Sequence, residues 1–400
     1  MTEKNKSIRN FPNSGNVPKL RFSEFTEEWG KNYISEVISS KSKKYNPETN
    51  DVNYPSIELE SLSQDSGELL STFDSKNQKS IKNLFTSGDV LFGKLRPYLK
   101  KYYLADFDGV CSSEIWVLKS SVLESHYLFG YVQSNSFISL TEISSGSKMP
   151  RADWNLILSS LISYPSNSDE RKKIGEIIHL INSRIHTQKK IIEDLQITKK
   201  IASTRLFNKG FNTEKYNFKK LGDLTYVVNK KNKESLKLPV YSINNKKGFV
   251  TQSEQFEGVD SDERGYDISL YKIIDKETFA YNPARINVGS IGYSRSLENI
   301  IVSSLYVCFK TTNEVNDEFL IQYLKTDLFK KDVLRNVEGG VRDYLFYENF
   351  SRIKVNLPNI DTQNKIANFL KLFDEKINLE NEILKQYENQ KKYLLSNLFV

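Results

Sequence analysis

Apolar residues recur along two stretches of the chain, residues 174–207 and 366–399, at alternating spacings of four and three residues. A spacing of this kind, sustained over nearly five heptads, is typical of helices that pair in a coiled coil. We therefore predict two long helices that pack against each other through these seam positions. The predicted pairing residues are Ile178, Ile181, Ile185, Gln188, Ile192, Leu195, Lys199, Leu370, Phe373, Ile377, Glu380, Leu384, Tyr387 and Lys391.

Polar residues interrupt both seams at equivalent places: Gln188 and Lys199 in the first, Glu380 and Lys391 in the second. In an antiparallel pair with aligned centres, we expect Lys199 to face Glu380 and Gln188 to face Lys391, which would fix the register. A parallel pair would oppose two lysines. The pattern therefore predicts an antiparallel coiled coil with a pseudo-twofold axis.

The chain is an internal duplication. The two helical stretches align without a gap at an offset of 192 residues. Upstream, residues 111–119 align with 302–310, and residues 88–96 align with 277–285, which superposes Arg96 on Arg285. A repeat along most of the chain predicts that one architecture occurs twice.

Each copy has the same order of patterns: short β-rich runs, a shorter helix, a glycine segment, a proline-marked strand and the long helix. We expect the shorter helices near residues 124–142 and 317–337. The fold class is mixed α/β (α+β), with two globular domains joined by two long helices. The predicted boundaries are residues 1–170 for the first domain, 171–208 for the central helix, 209–363 for the second domain and 364–400 for the C-terminal helix.

The net charge of +7 is unevenly distributed. Residues 171–208 hold 9 basic and 3 acidic side chains, a sum of +6, so the globular segments are close to neutral. Binding of a polyanion by those segments must therefore come from local clusters and not from a global field. No apolar run reaches the length of a membrane span, and no signal peptide is recognisable, so we expect a cytoplasmic protein.

Catalytic and metal-binding patterns are missing from the sequence. Residues 88–94 match most of a P-loop, but Leu95 stands where a Ser or Thr is required, and the interior is typical of a strand. With only two cysteines, Cys111 and Cys308, and three histidines, the sequence has few of the residues that usually bind metals. We expect both thiols in the core. The prediction is no catalytic site and no metal site, although scattered acidic residues leave a dispersed nuclease site open.

Clusters of basic and amide residues on loops are the remaining candidates for chemistry. Lys and Arg bind phosphates, and Arg and Asn can also read base edges in the major groove, so these loops suit duplex DNA. Any single cluster is equally typical of a solvated turn, and the glycine segments are typical of helix C-caps. The candidate DNA-binding residues are Lys41, Lys43, Lys44, Tyr45, Lys94, Arg96, Lys100, Lys101, Ser147, Lys148, Arg151, Lys230, Lys231, Lys233, Asn244, Asn245, Lys246, Asn282, Arg285, Arg295 and Arg342.

Several segments together resemble the specificity (S) subunit of type I restriction-modification enzymes. They are residues 18–25 with Trp29, residues 88–99, 105–114 and 279–292, and the two proline-preceded helices. The resemblance implies that each domain is a target-recognition domain for one half of a bipartite DNA site. It also implies that the helices set the half-site spacing and dock two methyltransferase (M) subunits, to which restriction (R) subunits add.

The resemblance further implies that this chain is not an enzyme and binds no cofactor, since S-adenosylmethionine, ATP and Mg would bind to the partner subunits. Because the loops of the two copies differ, we expect an asymmetric target. A helix of 34 residues is about 51 Å long, which limits the centre-to-centre distance of the half-sites to roughly 15 base pairs. Two alternatives stay open: a protein scaffold without DNA contact, and a nuclease assembled from dispersed residues.

Overall fold

The computed structural model describes residues 8–10, 17–145, 149–209, 217–255, 267–338 and 344–400. The chain divides into two compact units. Unit 1 comprises Met1–Ile191 and Glu380–Val400, and unit 2 comprises Ile192–Leu379. Each long helix therefore contributes residues to both units.

The helices of unit 1 are short except where the long helices enter it. They are α1 (Ile34–Val37), α2 (Ser125–Gln133), α3 (Asn135–Glu142), α4 (Trp154–Leu158), the first part of α5 (Ser168–Lys209) and the last part of α11 (Ile360–Asn397). Unit 2 has the same kinds of helix. They are the last part of α5, α6 (Leu221–Leu224), α7 (Gln252–Gln255), α8 (Asp317–Leu324), α9 (Asp327–Asn336), α10 (Tyr347–Phe350) and the first part of α11.

The strands of unit 1 form small sheets. They are β1 (Ile8–Asn10), β2 (Leu20–Phe22), β3 (Trp29–Tyr33), β4 (Lys44–Tyr45), β5 (Pro55–Ile57), β6 (Phe73–Asp74), β7 (Lys82–Phe85), β8 (Val90–Gly93), β9 (Tyr102–Leu104), β10 (Gly109–Cys111), β11 (Ile115–Leu118), β12 (Ser144–Ser145), β13 (Arg151–Ala152) and β14 (Leu161–Pro165). The main sheets have the orders β4-β7-β10-β5-β6 and β11-β8-β9, while β14 pairs with β3. The pairing of β10 with β5 is parallel, with Val110 opposite Ser56.

Unit 2 repeats this arrangement. Its strands are β15 (Asn217–Lys220), β16 (Thr225–Val227), β17 (Val240–Asn244), β18 (Gly248–Thr251), β19 (Lys272–Ile274), β20 (Phe279–Tyr281), β21 (Ile291–Tyr293), β22 (Ile300–Val302), β23 (Val307–Thr311) and β24 (Lys354–Leu357). The sheet orders are β18-β17-β22-β19 and β16-β23-β20-β21, with β15 on β24. Again one pair, β17 with β22, is parallel. The fold class and the duplication are thus confirmed at the level of strand pairing.

Two hydrophobic clusters support the sheets of each unit. In unit 1 the larger cluster joins the sheet face to α2, α3 and the long helices, and the smaller one contains Ile57, Phe85 and Cys111. In unit 2 the smaller cluster contains Ile274 and Cys308. Both cysteines are buried, which confirms their core position, and burial raises the pKa of both thiols. Among the described residues, no helix is long and apolar enough to cross a membrane.

The shorter helix that we predict in each copy is two helices, and the expectation of one continuous helix is wrong. Ser134 between α2 and α3 is extended, with φ −72° and ψ 155°. Thr326 before α9 is extended as well, and its side chain accepts a hydrogen bond from the Phe329 amide. Ser and Thr compete for backbone hydrogen bonds in this way and so favour helix starts over helix interiors.

The predicted seam positions of α5 and α11 are buried or half-buried. In unit 1, Arg184 lies 5.9 Å from the ring of Tyr387, and Gln188 Nε2 donates to the Glu380 main-chain oxygen at 3.1 Å. Moving forward along α5 therefore means moving backward along α11. In unit 2, Lys199 Nζ donates to Asp374 Oδ1 at 2.6 Å, and Leu206 shares a cluster with Leu370. The helices are antiparallel, as predicted.

The predicted register is wrong. Gln188 contacts Glu380 instead of Lys391, and Lys199 pairs with Asp374 instead of Glu380. The reason is the length of the lysine side chain. Lys199 extends to the Asp374 carboxylate beside the seam, and Lys391 lies over the ring of Tyr102 at 5.7 Å. Neither lysine needs a partner within the seam, so matching the polar interruptions to each other misplaces the register by about two turns.

A buried ion pair attaches the N-terminal segment to the start of α5. Arg21 Nε and Nη2 donate to the two carboxylate oxygens of Glu170 at 2.7 and 2.8 Å, and Trp29 Nε1 donates to the same carboxylate at 3.3 Å. Helix α5 begins at Ser168 and α11 at Ile360, each a few residues before the predicted boundary. The extra turn of α5 carries Glu170 and thereby makes this bond possible.

Candidate nucleic-acid interface

Three segments of unit 1 converge around Arg96, and we call them loop cluster 1: residues 62–69, 94–101 and 149–152. The Arg96 amide donates to the Pro150 oxygen at 2.8 Å, and the Ala152 amide donates to the Lys94 oxygen at 2.9 Å. The Asp65 amide donates to the Lys100 oxygen at 3.1 Å. Segments far apart in the sequence are thus held together by backbone hydrogen bonds.

Unit 2 holds the corresponding segments in the same way, and we call them loop cluster 2: residues 243–249, 282–290 and 344–346. The Leu345 amide donates to the Pro283 oxygen at 3.1 Å. Pro283 is the repeat equivalent of Lys94, so this bond corresponds to the bond between Ala152 and Lys94. The Ser290 hydroxyl donates to the Ile243 oxygen at 2.8 Å and so holds the hairpin turn against the Arg285 loop.

Arg96 and Arg285 occupy equivalent positions in the two loop clusters. Each precedes a short 3₁₀ turn, Pro97–Leu99 or Ile286–Val288, and each is exposed. Within the described part of the chain, neither guanidinium has an ion pair or hydrogen-bond partner. Arg96 has φ +52°, a left-handed conformation that non-glycine residues adopt mainly where the surroundings enforce it. Two exposed arginines held by ordered loops can contact phosphates or base edges.

The two other basic runs lie at equivalent strand edges outside the loop clusters. Lys44 on β4 pairs opposite Asn83 on β7. Lys231 bridges to Lys272 on β19, which occupies the place of β7 in unit 2. Lys41, Lys43 and Lys233 are exposed, as are Lys230 and Lys231, while Lys230 lies 3.6 Å from Asp275. These lysines at the strand edges can hold phosphates, but none of their hydrogen bonds in the described part of the chain connects them to loop cluster 1 or loop cluster 2.

Three predicted contact residues form contacts within the protein, and for the buried Tyr45 the predicted DNA contact is wrong. Tyr45 is 0% exposed, because the alternation of β4 turns it into the core, where its hydroxyl donates to the Val52 oxygen. Lys101 Nζ is held by the Leu59 oxygen at 2.6 Å. Arg295 forms a bidentate pair with Glu318 at 2.5 and 2.9 Å, and this pairing raises the pKa of the guanidinium.

Other predicted side chains are partly engaged by the protein. Lys44 Nζ donates to Asn83 Oδ1 at 2.6 Å, and Arg151 pairs with Glu114 at 3.1 Å while staying exposed. The side-chain oxygens of Asn244 and Asn282 accept backbone amides of their own turns, so these residues shape the loops. Lys94 and Lys100 are half-buried, and Asn245 and Lys246 are exposed. Ser147, Lys148 and Arg342 lie outside the described residues.

Gln64 is a loop-cluster residue that the sequence reasoning missed. Gln64 is exposed and forms a β-bridge with Lys101. It lies in the turn of residues 62–69, which corresponds to the hairpin turn at Asn244 in unit 2. The equivalence of the two turns is visible only in the structure, where residues 62–69 and 243–249 each contain a β-bridged pair, Leu62 with Leu69 and Ile243 with Phe249. Low sequence similarity between these two turns hid the equivalence.

Comparison with known proteins gives a consistent result. The family model for the type I restriction modification DNA specificity domain matches residues 213–389. A stretch of 58 residues is 38% identical to the EcoDI specificity subunit of a type I restriction enzyme from Escherichia coli, and covers 14% of this chain and 13% of that protein. A Methanocaldococcus jannaschii protein described as a type I restriction enzyme MjaX specificity subunit is 22% identical, with 96% of this chain and 95% of that protein covered.

The fold also matches solved structures along nearly the whole chain. The crystal structure of a type I restriction-modification S subunit from M. genitalium has a TM-score of 0.62 at 16% identity, covering 96% of this chain and 99% of that one. A chain from a structural study of type I restriction-modification complex assembly and conformational transition has a TM-score of 0.57 at 16% identity, covering 92% and 96%. Residues 213–389 are thus similar to the type I restriction modification DNA specificity domain, and the chain as a whole has the fold of the solved S subunit.

Proposed function

We propose that each unit reads one half of an asymmetric bipartite DNA target through its loop cluster. The observation that carries the proposal is the repeated placement of Arg96 and Arg285, each beside a backbone hydrogen bond that recurs at equivalent residues of the two copies. The two copies share this exposed arginine although the loops around it differ in sequence, which favours a common role in DNA contact. Since the residues around the two arginines differ, the two half-sites differ as well.

In this proposal the long helices set the half-site spacing and dock two M subunits. Both helices expose large apolar side chains, which suit contact with a partner where they lie side by side. On α5 and α11 these are Leu180, Ile191, Ile197, Ile201, Phe369, Leu372, Leu379 and Tyr393. The R subunits would join through the M subunits, in the cytoplasm.

The proposal assigns recognition without catalysis to this chain. S-adenosylmethionine, ATP and Mg would bind to the M and R subunits, where the chemistry of methyl transfer and DNA cleavage would take place. The basic and amide side chains of the loop clusters support the recognition role, because they can hold and orient DNA.

DNA titration of the full chain in complex with its M subunit tests the proposal. Random-sequence duplex is titrated at two salt concentrations, with Arg96→Gln and Arg285→Gln as variants and Arg295→Gln, which loses a cation already paired with Glu318, as the matched control. We expect a steep salt dependence and weaker binding for the first two variants only. Binding that is independent of salt would favour a protein scaffold, and Mg-dependent cutting by this chain alone would favour a nuclease.

A further inference from the structure

A cavity of about 470 Å³ in unit 1 lies between loop cluster 1 and the long helices. Four lysines line it: Lys100 from the loop, Lys189 from α5, and Lys391 and Lys392 from α11. The carboxylates among its lining residues are Asp65 and Glu388. The lining residues alone have an excess of two positive charges, and counting Glu68, which pairs with Lys189 beside the cavity, leaves an excess of one. This positive charge attracts an anion.

Lys391 is the feature of this cavity that demands an explanation. Its side chain is only 8% exposed, and in the described part of the chain no carboxylate lies within 4.0 Å of its ammonium. Its ammonium lies over the Tyr102 ring, 5.7 Å from the ring centroid. A buried ammonium without an ion pair is costly, because burial removes its hydration without replacing it.

In the described part of the chain, no carboxylate pairs directly with Lys391. Asp65 accepts a hydrogen bond from the Tyr102 hydroxyl at 2.9 Å, and Lys189 lies 3.3 Å from Glu68 on the adjoining turn. Asp65, Glu68 and Glu388 favour the charged form of Lys391 from a greater distance, but burial outweighs them. Burial lowers the pKa of Lys391 to about 8, so at neutral pH the ammonium is charged and lacks a counterion of its own.

We propose that this cavity binds a phosphate group of the DNA backbone, with Lys391 as its central cation and Lys100, Lys189 and Lys392 around it. Lysine binds phosphate as a point charge and needs no fixed geometry. Gln64 and Lys100 line both the cavity and loop cluster 1, so a duplex on that cluster would pass the cavity mouth. The inference rests on the proposed DNA binding by unit 1 and adds a backbone-anchoring site to it.

The test compares Lys391→Met with Lys385→Gln in the full chain bound to its M subunit. Both substitutions remove one positive charge from α11, but Lys385 is exposed and does not line the cavity. Affinity for random-sequence duplex is measured over a series of salt concentrations. We expect the slope of log K against log salt to fall by roughly 0.9 in Lys391→Met, the contribution of one lost phosphate contact, and to stay unchanged in Lys385→Gln.

Further measurements distinguish loss of the phosphate site from loss of folding and from failure of the proposed DNA binding. Thermal unfolding of Lys391→Met should occur at or above the wild-type temperature, since an uncompensated buried charge is removed, and Lys391→Arg should retain the wild-type slope. Titration with inorganic phosphate is the second arm. If the slope of log K against log salt is the same in Lys391→Met as in the wild type, the proposed site is refuted. It is also refuted if Lys391→Met loses affinity for inorganic phosphate but keeps its affinity for DNA. Loss of all salt dependence in the wild type would instead refute DNA binding itself.

Discussion

Gln188 donates a hydrogen bond from Nε2 to the main-chain oxygen of Glu380 at 3.1 Å, and these two residues are the same position in the two repeats. The Gln188 amide also contacts the Glu380 carboxylate, and both side chains are buried. A contact between equivalent residues is what antiparallel pairing of two repeated helices produces at one point of their seam. This polar pair identifies the register in a seam that is otherwise largely apolar.

Replacing Gln188 with Leu should destabilise the protein, because Glu380 loses the hydrogen bonds from the amide while staying buried. We expect the free energy of unfolding to fall by about 1–3 kcal/mol, measured by urea denaturation. The double variant Gln188→Leu/Glu380→Leu should recover much of this loss, with a coupling energy of roughly 0.5–3 kcal/mol. Strictly additive effects would mean that the contact does not hold the register.

Breaking the pair between Arg21 and Glu170 should have a larger effect. Arg21→Met leaves the buried Glu170 carboxylate without its cation, and removal of one partner of a buried pair costs about 3–5 kcal/mol. The matched control is Lys172→Met on the same helix, since Lys172 pairs with Asp169 at the exposed surface, where such pairs contribute about 1 kcal/mol or less. Equal losses in the two variants would show that burial of the Arg21 pair is unimportant.

Stability should depend on pH through Lys391. Its pKa in the folded protein is about 8, below the usual 10.5, so the unfolded chain binds the proton more tightly. Protonation therefore opposes folding below about pH 8, and this opposition fades as the pH rises from 8 toward 10.5. The charged groups that face Lys391 are Asp65, Glu68, Lys100, Lys189, Glu388 and Lys392.

Thermal unfolding of the wild type and of Lys391→Met at pH 7 and pH 10 measures this contribution. We expect the variant to be the more stable protein at pH 7, and the difference to shrink at pH 10. A difference that stays constant over this range would contradict the lowered pKa of Lys391.

Shortening both long helices should shorten the target. Deleting residues 189–195 and 373–379 removes one heptad from each seam and keeps Gln188 and Glu380. Seven residues span about 10 Å, or roughly three base pairs. Methylation mapping should then find the same half-sites separated by about three base pairs fewer. An unchanged gap would refute the spacing role of the helices.

The sequence predicted those features that depend on local periodicity or on repetition. The seam of α5 and α11 and the equivalence of Arg96 with Arg285 follow directly from spacing and alignment. Features set by contacts distant in sequence could not be predicted. The hydrogen bond from Ala152 to Lys94 and the pairing of Arg295 with Glu318 depend on how the sheets pack, so the spacing of residues in the sequence does not predict them.

Short strands were the second source of error. The run from Lys41 to Tyr45 has the composition of a solvated loop, yet its last two residues form β4, and strand alternation places Tyr45 inside and Lys44 outside. A strand of two residues is too short to show this alternation in the sequence. Its direction is set by pairing with β7, a strand that lies well downstream.

Methylation mapping of cells that contain this chain, its M subunit and either Arg96→Gln or Arg285→Gln tests the central claim most directly. The wild type should methylate one asymmetric bipartite motif. Arg96→Gln should relax or weaken recognition at one half of that motif and Arg285→Gln at the other half, each by about 1–3 kcal/mol of base discrimination. An uninterrupted motif, or two variants that affect the same half, would contradict the account.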